Sequence, residues 1–142
     1  MKQIFFIAFL FAGIPSFCQT TIQRDAEIEK MVKEISSDSL KSYIKSMVAF
    51  GTRNTLSTQT NPKRGIGAAR NWVLGKFNEF AKQSDGRLSA FIDTTTLQPD
   101  KRRIDTVTLL GNVVATLKGT DPNDNRIFII SGHLDNMRSS PT

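Results

Sequence analysis

The chain has 142 residues, a formal net charge of +6, and 39% hydrophobic against 23% charged residues. That balance excludes a wholly disordered chain, and the length leaves room for one domain at most. The positive charge is mild and scattered and lacks the interleaved aromatic residues of a nucleic-acid surface, so no nucleic-acid partner is expected.

Residues 1–18 read as a secretory signal that lies apart from the folded domain, residues 19–142. Lys2 supplies a positive end, and Ile4 to Ile14 is an apolar stretch too short to span a bilayer comfortably. Pro15-Ser16-Phe17-Cys18 then offers small residues at alternating positions to a signal peptidase. The expected destination is the periplasm or the exterior, with no stable membrane anchor. Cys18 raises lipidation as an alternative, against which stands the bulky Phe17 before it. Cleavage after Cys18 or Gln19 leaves no cysteine, so stability must come from a packed core or a bound metal.

Three helices follow. From Asp25, the residues Ile28, Met31, Val32 and Ile35 fall at helical spacing opposite Glu27, Glu29, Lys30 and Lys33, and the pattern closes at Ser36-Ser37. Ser37 or Asp38 can cap a second helix whose stripe is Leu40, Tyr43, Ile44, Met47 and Val48, ending near Gly51. Met31 and Met47 are expected to pack in the core. The third helix enters at Gly65 and buries Ile66, Ala69, Trp72, Val73, Phe77 and Phe80, stopping before Asp85-Gly86. Gly65-Ile66-Gly67 is no phosphate-binding turn, because no strand precedes it and no Gly-Lys-Ser/Thr follows; the glycines let the chain enter a helix tightly.

The period then changes from helical to alternating. Leu88 to Thr96 reads as a strand, with Leu88, Ala90 and Ile92 on one face, and the turn Gln98 to Arg103 follows. Lys101-Arg102-Arg103 in that turn is a solvated cluster or, alternatively, a contact for phosphate or an acidic partner. A second extended region runs from Ile104 to Lys118, with a bulge or bend expected at Gly111-Asn112. Gly119 to Asn125 is dense in turn formers, which predicts an antiparallel pairing of Val113–Leu117 with Ile127–Ile130.

Ile127-Phe128-Ile129-Ile130 reads as a strand buried on both faces, placing His133, the sole histidine of the chain, just past its end. An imidazole with a carboxylate two positions on suits a metal site, in which one ring nitrogen binds the ion and Asp135 steadies the other. The pattern is short enough that an incidental loop histidine must be weighed beside it.

Taken together, Gly51-Thr52-Arg53, the helix Gly65 to Phe80 with Ala69 and Trp72, Asn112-Val113-Val114-Ala115-Thr116-Leu117-Lys118-Gly119 and Ile129-Ile130-Ser131-Gly132-His133-Leu134-Asp135 resemble the N-terminal part of the M28 family of zinc aminopeptidases. The last two stretches are the specific ones. The resemblance implies an α/β fold: N-terminal helices followed by a mixed β-sheet, part of a zinc-peptidase sandwich. It also implies two zinc ions, a peptide or protein substrate, and hydrolysis of the N-terminal peptide bond by a metal-activated water with a separate Glu as general base. His133 would bind one zinc and Asp135 would orient its ring. The family's bridging Asp, catalytic Glu, further acidic ligand and second His lie downstream of the His-x-Asp segment, and Asp121, Asp124 and Glu79 are poorly placed to replace them. The 142-residue chain is therefore expected to be a fragment, inactive by itself and poorly soluble because of its apolar strand. Glutaminyl cyclases, with one zinc, and M20 carboxypeptidases and deacylases share the architecture. A secreted binding module in which His133 is incidental is the reading from another class.

Overall fold

The computed structural model describes residues 24–137. The signal segment, with its cleavage site and Cys18, lies outside the described residues, as do residues 138–142. Two compact units divide at Ser36 and Ser37.

In the first unit, α1 (Ala26–Lys33) starts where its cap predicts. The Asp25 carboxylate accepts from the backbone N–H of Glu27 at 2.8 Å and of Ile28 at 3.4 Å. Glu27 and Glu29 in the first turn and Lys30 and Lys33 in the last complement the helix dipole. Its apolar stripe is open, however, and Met31 is 59% exposed, which corrects the expectation that this side chain is buried.

The second unit contains α2 (Ser37–Ala49), α3 (Gly65–Ala81), β1 (Leu88–Leu97) and β2 (Thr108–Leu117). The aromatic residues join α2 to α3: Trp72 meets Tyr43 edge-on at 5.7 Å and Phe50 at 6.3 Å between ring centroids. Leu40, Ile44 and Val48 of α2 remain exposed, and so does Phe80 near the end of α3. Burial concentrates instead in the first turns of α3, where Ile66, Ala68 and Ala69 form the small core. Small side chains permit this close approach. Gly65 adopts φ +80°, and a Cβ there would stand 2.6 Å from the Thr58 carbonyl oxygen, so the helix can begin only on glycine. Arg64 gives no side-chain cap, and the buried Ser57 does so from the preceding loop, its Oγ accepting from Ile66 N–H at 2.9 Å.

β1 and β2 form an antiparallel two-stranded sheet that lies against α3. The pairing runs without interruption from Leu88 opposite Leu117 to Leu97 opposite Thr108, with Gly111 facing Thr94 and Asn112 facing Asp93. No bulge occurs at Gly111-Asn112. Glycine serves there as a gap for a neighbouring side chain: Arg70 of α3, itself buried, lays its guanidinium over Gly111 while donating to the Leu109 carbonyl at 3.4 Å and to Gln59 Oε1. Burial pushes this guanidinium down from the usual arginine range. Between the strands, Asp100 organises the turn by accepting from the N–H groups of Arg102, Arg103 and Ile104, each at 2.9 Å. The backbone donors of Arg102 and Arg103 are thereby engaged, and residues 101–103 are exposed, as in a solvated turn.

After β2 the chain departs from expectation. Asp121 and Asp124 build the turn, with Asn123 N–H donating to Asp121 Oδ1 at 2.9 Å and Arg126 N–H to Asp124 Oδ1 at 3.0 Å. Yet Ile127–Ile130 forms no strand and pairs with no part of β2, whose partner among the described residues is β1. Its four side chains are 84%, 82%, 87% and 98% exposed. A backbone segment with no ladder partner among the described residues cannot become a strand, however apolar it is.

Candidate metal centre

His133 and Asp135 lie on the irregular segment after Ile130, so the histidine is not presented by a buried strand end. The two side chains nonetheless meet: His133 Nδ1 stands 3.1 Å from Asp135 Oδ1. An ionised carboxylate only accepts, so the contact assigns the proton to Nδ1 and leaves the Nε2 lone pair free. The imidazole is 96% exposed, and nothing among the described residues covers that lone pair.

The loop after α2 supplies what a strand was expected to supply. Thr55 Oγ1 donates to Asp135 Oδ2 at 3.2 Å, so each carboxylate oxygen has its own donor. Arg53 N–H donates to Asn136 Oδ1 at 2.9 Å and Asn136 N–H returns a bond to the Arg53 carbonyl at 3.3 Å. The Arg53 side chain donates from Nε to the Leu134 carbonyl at 3.0 Å and from Nη1 to the Met47 carbonyl in the last turn of α2 at 2.6 Å. Nothing local in the sequence marks Arg53, Thr55 or Asn136 for this role. Gly51-Thr52-Arg53 is distinguished only by a family resemblance, and no local pattern announces a hydrogen bond spanning about 80 residues of chain.

Glu79 and Asp124 are committed elsewhere. Glu79 pairs with Lys76 Nζ at 2.7 Å, and Asp124 takes the Arg126 guanidinium at 2.5 Å. The Arg126 side chain, followed by its backbone N–H, holds the Asp124 carboxyl below the usual carboxylate range. Among the described residues no three His, Cys, Asp or Glu side chains converge. The donor chemistry therefore fits a zinc ion at one corner of its coordination sphere, through an oriented neutral imidazole, and the other corners need further donors.

The chain is similar to probable zinc metalloproteases. It is 42% identical over 118 residues to one from Pyrenophora teres f. teres (strain 0-1), 82% of this chain and 25% of the relative. Proteins of the same description from Pyrenophora tritici-repentis (strain Pt-1C-BFP) and Phaeosphaeria nodorum (strain SN15 / ATCC MYA-4574 / FGSC 10173) are 40% and 39% identical over the same 82% of this chain, covering 27% and 24% of their own lengths. The chain thus spans about a quarter of the length of the curated relatives it matches. No protein-family model and no solved structure matches it.

Proposed function

We propose that this chain is part of a secreted zinc-dependent peptidase of M28 type, an aminopeptidase acting on the N-terminal bond of peptides or proteins with two zinc ions. The observation that carries the reading is the His133–Asp135 pair, with Nδ1 engaged at 3.1 Å and Nε2 open, in a chain similar to proteins described as probable zinc metalloproteases. Zinc, when bound, supplies an activated water and polarises the scissile carbonyl. The part of this chain is to present Nε2 of His133 as a zinc ligand, while Asp135 holds the ring in the correct tautomer. The remaining ligands and the general base come from outside these 142 residues, and the fold of the complete domain is a mixed α/β sandwich. Residues 1–18 direct export, and the isolated chain is inactive.

The test is made on the protein at the length of its relatives, with an aminoacyl chromogenic substrate and a zinc assay. Asp135→Asn should lower activity by about 10- to 100-fold, the usual consequence of losing a partner of a metal-bound histidine, and His133→Ala should lose bound zinc as well. A His133→Ala protein that keeps its zinc and its rate would overturn the assignment.

A further inference from the structure

The His133–Asp135 pair sits on a segment without regular secondary structure, yet its geometry is tight. We infer that the loop Gly51–Thr55 is the clamp that sets this geometry, with Arg53 and Thr55 as positioning residues acting through Asp135. The inference deepens the zinc-peptidase reading and rests on it for its functional meaning, although the clamp itself is a property of the metal-free chain.

Three features carry it. First, the clamp holds the backbone on both sides of Asp135. Arg53 engages the Leu134 carbonyl through its side chain and Asn136 through its own backbone, so the residues before and after the carboxylate are both fixed. Pinning Leu134 and Asn136, the neighbours of Asp135 on either side, keeps His133 and Asp135 facing one another at 3.1 Å.

Second, Thr55 fixes the rotation of the carboxylate. With Oδ2 bonded to a hydroxyl, Oδ1 is the oxygen left for the imidazole. The donor is neutral, so the carboxylate keeps its negative charge for His133. A lysine or arginine in that place would compete with the imidazole for it.

Third, the loop is itself anchored to two helices. Arg53 Nη1 holds the Met47 carbonyl at the end of α2. Asn54 Oδ1 accepts from Leu56 N–H at 2.8 Å, and Ser57 Oγ donates to the Asn54 carbonyl at 2.6 Å while accepting from Ile66 N–H at the start of α3. A positioning group must rest on a rigid frame, and here the frame is a pair of helix ends.

Because the chain has one histidine, ring-nitrogen NMR of the 142-residue polypeptide, carrying Ile130→Lys throughout to suppress association, reads this site without ambiguity. At about pH 8.5, two units above the ordinary imidazole value, the wild-type ring should be held as the Nδ1–H tautomer. Thr55→Val, which keeps the shape of the side chain and removes its donor, should lower the ratio of Nδ1–H to Nε2–H by up to about tenfold, the full worth of one such hydrogen bond. Thr55→Ser should restore it. Arg53→Met should do the same to the ratio as Thr55→Val and should also speed amide exchange at Asn136. The β1–β2 amide signals report whether each variant is folded, and if Arg53→Met loosens the end of α2, Thr55→Val decides. The clamp is overturned if Thr55→Val leaves the tautomer ratio unchanged in a folded chain. Added zinc should move the Nε2 signal of the wild type. If it moves nothing in any variant, the assignment of His133 as a ligand is rejected separately, since the clamp is judged on the metal-free ring.

Discussion

Gly111→Ala isolates the packing of α3 against the sheet. Gly111 has ordinary strand backbone, so alanine meets no conformational penalty there, and fewer unfolded conformations would favour it by about 0.4–1 kcal/mol. The obstacle is Arg70. A Cβ at residue 111 would lie 3.0 Å from Cζ and 3.2 Å from Cδ of that side chain, and closer still to Nη1. The far end of an arginine can move, but this one is buried, and moving it breaks its bonds to Gln59 and to the Leu109 carbonyl. Hydrogen bonds from a charged donor contribute about 1.5–3 kcal/mol each, and the Leu109 contact at 3.4 Å is long, so the Gln59 bond dominates. The net destabilisation should be about 2 kcal/mol. Amide exchange of the paired residues Phe91–Asp93 and Asn112–Val114 measures it, and protection should fall about 30-fold. In an Arg70→Ala background the same substitution should raise protection by the equivalent of about 0.4–1 kcal/mol, since the colliding group is gone and the unfolded-state contribution remains. Undiminished protection in Gly111→Ala, or an equal loss in both backgrounds, would show that the guanidinium does not dictate glycine at this position.

Two further outcomes follow from local chemistry. The N–H groups of Ile104, Arg102 and Arg103 hold the Asp100 carboxyl below the usual carboxylate range. A depressed folded-state value contributes stability that is present above the unfolded value near 3.9 and is lost as pH falls through the folded one. The amide signals of Arg102 to Ile104 should therefore shift on acidification below about pH 4 in the wild type and stay fixed in Asp100→Asn; identical titration of both would refute the role of the carboxylate. Ile130, 98% exposed in an apolar run, should drive association of the isolated chain, and Ile130→Lys should reduce light scattering while changing stability by no more than about 0.5 kcal/mol. Equal scattering from both proteins would place the association surface elsewhere.

Much of the helical part was legible because its signals are local. Asp25 before an acidic first turn starts α1, and the periods of Tyr43 and Met47 and of Ile66, Ala69 and Trp72 mark α2 and α3. The alternation from Leu88 likewise marks β1. Pairing was not legible in this way. Val113–Leu117 has an apolar neighbour on either side in the chain, Leu88–Ile92 and Ile127–Ile130; the turn signals around it suit an antiparallel connection to each, and only the pairing with Leu88–Ile92 forms. Gly111 carried the same ambiguity: it reads as a backbone irregularity, whereas its cause is a guanidinium 41 positions earlier.

For the candidate site the division is similar. Residue order already places a carboxylate two positions from the one imidazole, and that spacing is enough for the side chains to touch on an extended backbone. Which loop holds them was decided by folding, because Arg53 and Thr55 reach Leu134 and Asp135 only after α2, α3 and the sheet have brought distant parts of the chain together. Spacing determines what short-range contacts are possible. Hydrogen bonds across some 80 residues depend on tertiary packing, which no run of neighbouring residues encodes.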